Sequence, residues 1–187
     1  MTGLEAQQVI SKYRGDSIVV GTMSAHYEWP TVTSKPELDC HLSVMGKGSS
    51  FALGLALARP DKKVILLDGD GSLLMNLGNL VTVIESGCAN LIYFLIDNGC
   101  YRCCEPSDDC PGFDKTDFAG FARAAGFQNV ETFGDPESLD QNMQTIMNQR
   151  GPVFIWLKCD AVRGYPPFPY VEPRDYFHQF KETLSKI

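Results

Sequence analysis

The chain has 187 residues, 44% of them hydrophobic, which suits one compact α/β domain with its own core. Sixteen basic against twenty-three acidic side chains give a formal charge of −7, which argues against nucleic acid or an anionic membrane as the main partner. The greasiest runs, near 51–58 and 91–96, are too short to span a bilayer, and the opening MTGLEAQQVISKYRGD lacks the charged-then-apolar design of a secretory signal, so the expectation is a cytoplasmic protein.

Taken in chain order, apolar runs of strand length alternate with helix-like segments. The strands are expected at 17–20, 64–68, 91–97 and 153–158. Between them, 49–58 reads as a small-residue helix and 72–86 as one longer helix closed by Gly87. Segment 102–115 is polar, carries Pro106, Pro111 and Gly112, and reads as a mobile loop. Asp117 caps a helix to Ala125 that Gly126 ends, and Asp135 with Pro136 opens another towards Gln149. Segment 163–171, with Pro166, Pro167 and Pro169, reads as extended and leads to a last short helix near 176–184. Alternation of this kind predicts a doubly wound parallel sheet with helices on both faces, filling residues 1–187 as a single domain.

The most informative stretch is VILLDGDGSLLMNLGNL, in which an all-apolar strand runs into Gly69-Asp70-Gly71-Ser72 and then a helix. In an open parallel sheet ligands bind beyond the carboxyl ends of the strands, where a following helix offers free N–H groups to an anion such as phosphate. Gly69 and Gly71 let the backbone approach closely. Asp70 beside a phosphate is repulsive unless a cation lies between them, and Mg²⁺, often held by one or two protein oxygens plus phosphates, meets that need. A second strand ends in Asp97-Asn98-Gly99, which places the Asn98 amide oxygen near the same ion after one crossover helix and a return strand.

Taken singly, these signals have plainer explanations. A lone GDG is usually a turn, and Met45 by itself is better explained as core packing. Four of the seven cysteines, Cys100, Cys103, Cys104 and Cys110, crowd into one segment whose spacing matches no standard zinc or iron–sulfur ligand set, so they read as reduced thiols. His26, His41 and His178 default to surface or core roles, with His41 the one placed to face a substrate; Lys47 is an unusual charge in a small-residue segment.

From end to end, GDGSLLMNLGNLVTVIESGCANLIYFLIDNGCY resembles the cofactor motif of the thiamine-diphosphate enzyme family. The resemblance implies thiamine diphosphate and Mg²⁺ as cofactors, with Asp70 and Asn98 ligating the metal through side chains and Cys100 through its backbone carbonyl. SVMGKGSSFALGLALA is similar to the segment that cups the aminopyrimidine. It implies that Met45 forces the cofactor into its bent form and that the Ser43 carbonyl accepts from the 4′-amino group. In GTMSAHYEW, Thr22 and Ser24 look like contacts for the diphosphate, and Gly46, Gly69, Gly71, Ser72 and Tyr101 complete the implied cofactor-binding set.

Enzymes of this family activate the cofactor with a glutamate from another domain of similar size. One sheet uses this whole chain, so the glutamate is expected from a partner subunit carrying the pyrimidine-binding (alpha) domain, in a hetero-oligomer of paired heterodimers. MGKGSSFALGLALA, GDGSLLMNLG and IDNGCY look most like the two-chain sulfopyruvate decarboxylases and their phosphonopyruvate-decarboxylating relatives, which implies a carboxy-lyase acting on a 2-oxo acid. The alternatives are a subunit of an acetolactate-synthase-like carboligase or of a 2-oxo acid oxidoreductase, or a non-catalytic cofactor-binding homologue.

Overall fold

The computed structural model of the chain describes residues 1–101, 115–162, 164 and 173–186. Most of segment 102–115, its cysteines Cys103, Cys104 and Cys110, and the extended stretch expected at 163–171 apart from Gly164 lie outside these. Six parallel strands, β1 (Ile18–Thr22), β2 (Asp39–Leu42), β3 (Val64–Gly69), β4 (Leu91–Asp97), β5 (Asn129–Phe133) and β6 (Val153–Lys158), form one sheet in the order β2-β1-β3-β4-β6-β5. The helices are α1 (Gly3–Tyr13), α2 (Ser24–Glu28), α3 (Gly48–Ala58), α4 (Asp70–Leu74), α5 (Asn79–Glu85), α6 (Phe118–Ala125), α7 (Pro136–Asn148) and α8 (Pro173–Lys186). Among the described residues no helix is long and apolar enough to cross a membrane.

Side chains alternate along each strand, so a sheet covered on both faces needs apolar residues at every position. Val64, Leu66, Leu91, Tyr93 and Leu95 meet α3, α5, α6 and α8 on one face. Ile65, Leu67, Ile92, Phe94 and Ile96 meet α1, α2 and α7 on the other. This is why β3 and β4 read clearly as uninterrupted apolar runs. The edge strands β2 and β5 are short and mixed in polarity, and α1 is largely polar outside one stripe, so none of the three carries a readable period.

The segment expected as one helix at 72–86 is two. α4 starts earlier, at Asp70, and ends at Leu74; α5 begins at Asn79 after Gly78. Between them the chain tightens into three-residue turns, with Asn76 N–H donating to the Leu73 carbonyl and Asn79 N–H to the Asn76 carbonyl. The Asn76 side chain is drawn off to the Gly46 carbonyl at 3.0 Å, and Gly78 has poor helix propensity, which together explain the break. The expected caps are present elsewhere: Asp117 accepts from Gly120 N–H at 2.8 Å, Gly126 takes the left-handed turn at φ 110°, and Asp135 accepts from Ser138 N–H at 2.8 Å.

Edge strand β2 is held by a buried ion pair. Arg14, just past α1, donates to Asp39 Oδ1 at 2.5 Å, to Thr33 Oγ1 at 2.7 Å and to the Ser17 carbonyl at 2.6 Å. From α8, the Tyr176 hydroxyl donates to the Asp39 carbonyl. His41 is packed between His26 and Tyr176, with ring centroids 5.6 and 5.5 Å away, and burial pushes its pKa down to about 3. It is therefore a neutral packing group under α8 and not part of the pocket wall described below.

Candidate functional site

The strand order reverses between β1 and β3, since the chain leaves β1 for one edge and returns on the other side. Crevices at such reversals, beyond the carboxyl ends of the strands, are where open parallel sheets bind ligands. Here an open pocket is walled by Thr22 to Ala25 at the end of β1, Met45, Asp68 to Gly71 at the end of β3, and Ile96, Asn98, Cys100 and Tyr101 at the end of β4. Four chain segments remote in sequence thus meet at one point, and Asp70, Asn98 and Cys100 share the wall.

The turn after β4 is fixed from several directions. Gly99, left-handed at φ 68°, donates its N–H to Asp70 Oδ2 at 3.1 Å. Asn98 Oδ1 accepts from Cys100 N–H at 3.1 Å and from the Cys100 thiol at 3.5 Å, which fixes the amide oxygen at the pocket wall. The Tyr101 ring lies against the bare Cα of Gly71, where a Cβ would come within 2.2 Å of it. Gly71 is therefore needed by its neighbour as well as for any close ligand approach.

Below the pocket lies a carboxylate that the motif reading does not include. Asp68 is 2% exposed and accepts from Thr22 Oγ1 at 2.5 Å, Tyr93 OH at 2.7 Å and Gly69 N–H at 3.0 Å. Burial pushes its carboxyl above the usual carboxylate range, against the pull of these hydrogen bonds and one with Ser72. The signal available in the sequence is an acid in the penultimate place of an otherwise apolar strand, which is costly unless paired. Thr22 spends its one O–H on Asp68, so this hydroxyl has no hydrogen left to donate to a phosphate oxygen.

The remaining expected residues separate into three groups. Ser24 and half-buried Met45 line the pocket, as do Gly69 and Tyr101. Gly46 and Ser72 lie behind the wall and hold it, with Gly46 N–H donating to Ser72 Oγ at 2.9 Å; this ties the Met45 loop to α4. Ser43 and Lys47 are exposed and outside the described wall. Met23, which enters α2, has φ 45° and is the one described residue other than glycine with a positive φ, a strained backbone of a kind that clusters at ligand sites.

Asp70, Asn98 and Cys100 share one wall, and a carboxylate, an amide oxygen and a backbone carbonyl from these residues would make a hard-oxygen set suited to Mg²⁺. Among the described residues no group of three or more His, Cys, Asp or Glu is placed to hold a metal. Cys40, Cys88 and Cys159 form no disulfide, and burial pushes Cys40 and Cys159 up to about 12.

Comparison with known proteins agrees with this geometry. The sulfopyruvate decarboxylase beta subunit of Methanothermobacter thermautotrophicus is 37% identical over 152 residues, covering 81% of this chain and 78% of that one. The phosphonopyruvate decarboxylase of Streptomyces hygroscopicus is 29% identical over 179 residues, 91% of this chain but 42% of that one. A solved structure from Mycobacterium smegmatis, assigned to the thiamin diphosphate-dependent enzymes, superposes with a TM-score of 0.71 over 87% of this chain and 32% of its own, at 21% identity, and so shares the fold. Residues 20–157 match the thiamine pyrophosphate enzyme C-terminal TPP binding domain, and the chain belongs to that family.

Proposed function

We propose that this chain is the diphosphate- and Mg²⁺-binding subunit of a two-chain, thiamine-diphosphate-dependent 2-oxo acid decarboxylase of the sulfopyruvate decarboxylase kind. The observation that carries the reading is the meeting of Asp70, Asn98 and Cys100 in one pocket at the reversal of the strand order. The similarity to a relative named as a beta subunit, 37% identical over 78% of its length, supports a divided enzyme.

In this reading Asp70 and Asn98 hold Mg²⁺ with their side chains and Cys100 with its carbonyl. Gly69 and Gly71 present backbone to the diphosphate, assisted by Ser24 and the Thr22 backbone. Met45 stands in the wall where it supports a bent cofactor. Bound thiamine diphosphate supplies the electron sink for losing CO₂ from the 2-oxo acid, and the protein supplies position and electrostatics. Among the described wall residues the acids are Asp68 and Asp70, with no glutamate. In this reading the activating glutamate comes from an alpha-type chain with the pyrimidine-binding domain, in an assembly of paired heterodimers.

The test is calorimetric titration of thiamine diphosphate with Mg²⁺ into this chain alone and into the chain co-expressed with its genomic neighbour, followed by assay of 2-oxo acid decarboxylation. Binding and turnover in the co-expressed complex support the reading; absence of binding in both preparations refutes it.

A further inference from the structure

Asp97 precedes Asn98, yet its side chain points sideways along the sheet and not into the wall. Its Oδ2 accepts from the indole Nε1–H of Trp156 on β6 at 2.8 Å, and its carbonyl accepts from Cys159 N–H at 2.7 Å. Trp156 is itself fixed, edge-on to Phe118 at 5.8 Å between centroids and with the Lys158 ammonium 4.4 Å from its ring centre. An indole N–H donates only, so this bond has one direction and Asp97 must be its acceptor.

The turn that carries Asn98 therefore has two anchors. Gly99 N–H reaches Asp70 on the β3 side, and the Asp97 carboxylate reaches Trp156 on the β6 side. Asn98 stands between them, and the anchor on the β3 side is itself a left-handed glycine, a joint that would let Asn98 swing if either anchor were released. Groups that orient a metal ligand without touching the ion set how well that ligand binds.

We propose that Trp156 is a positioning residue for Asn98, acting through Asp97. The inference rests on the reading of Asn98 as a Mg²⁺ ligand. Trp156→Phe keeps a ring against Phe118 and removes the N–H. Asp97→Ala removes the acceptor and keeps the indole. Asp97→Asn removes the charge but keeps an acceptor oxygen. Their comparison separates the hydrogen bond from packing and from charge.

Two readouts decide it, both on the full chain with its partner chain. Amide hydrogen exchange at Gly99 and Cys100 is expected to quicken in Trp156→Phe and Asp97→Ala and to stay near wild type in Asp97→Asn. The Mg²⁺ concentration for half-saturation in the presence of thiamine diphosphate is expected to rise about tenfold in the first two and little in the third. Asp70→Ala is the control on the site itself: if it binds Mg²⁺ normally, the metal-site reading falls and this inference falls with it. If Asp70→Ala loses the metal while Trp156→Phe and Asp97→Ala keep wild-type exchange and half-saturation, the site stands and the role of Trp156 is refuted. Should Trp156→Phe fail to fold, the two Asp97 variants carry the decision alone: equal behaviour of Asp97→Ala and Asp97→Asn overturns the proposal.

Discussion

The Gly99 amide donates to Asp70 Oδ2 at 3.1 Å, so the end of β4 is bonded directly to the first residue of the helix that follows β3. One carboxylate thus serves as a brace between strands and as the proposed anionic ligand of the metal. Asp70→Ala is expected to lose both roles. Calorimetry should show no Mg²⁺-dependent binding of thiamine diphosphate, and chelation of Mg²⁺ from the wild-type complex should release the cofactor to the same extent.

Gly71 and Gly54 make opposite predictions for the same substitution. Gly71→Ala drives a Cβ to 2.2 Å from the Tyr101 ring, and displacing that ring is expected to cost about 1–3 kcal/mol and to weaken cofactor binding. Gly54 lies on the exposed face of α3, and a Cβ added there would meet nothing within 4 Å, so Gly54→Ala is expected to stabilise the chain by about 0.5–1 kcal/mol. Urea denaturation of the two variants checks both signs.

Removing Arg14 leaves Asp39 buried without its cation. Arg14→Ala is expected to cost about 3–5 kcal/mol, while the double replacement Arg14→Met with Asp39→Asn costs much less. The readout is the urea midpoint, together with faster amide exchange along β2 in the single variant.

Acid destabilises the fold through His41. Its folded pKa lies at about 3 against an ordinary value of 6.5, so below 6.5 the unfolded chain binds a proton that the folded chain refuses. Stability is fully present above pH 6.5 and falls towards pH 3, by at most about 1.4 kcal/mol per pH unit from this group. His26, also held below its ordinary value by burial, acts in the same direction. His41→Phe is expected to flatten the slope, measured as urea midpoints between pH 7.5 and pH 5.

The parts of the molecule that the sequence makes legible are those in which one physical demand acts on many consecutive residues. Burial on both faces forces Val64 to Leu67 and Leu91 to Ile96 to be apolar, and the glycine-rich ends mark where the strands open on the pocket. Helix caps at Asp117 and Asp135 are local chemistry and are equally readable. What escapes is set by partners far along the chain. β5, with a single fully buried residue at Phe133, shows no clear alternation, and the break between α4 and α5 depends on Asn76 finding the Gly46 carbonyl. Asp68 meeting Tyr93, and Asp97 meeting Trp156, follow from strand neighbourhood and register, which no local pattern states. His41 illustrates the reverse error: two residues from Ser43 along the chain, it lies in space under α8.

β3 and β4 pair all the way to Gly69 opposite Ile96, so the last rung of the ladder sits immediately beneath Asp70 and Asn98. A slip of one residue between these strands would part the Gly99 amide from Asp70 and separate the two turns that carry Asp70 and Asn98. A ligand that gathers both residues can thus seat only on a correctly zipped sheet, and its binding energy is added to the native alignment alone. The cofactor would act as a proofreader of the chain's own folding, rewarding the one register in which catalysis is possible.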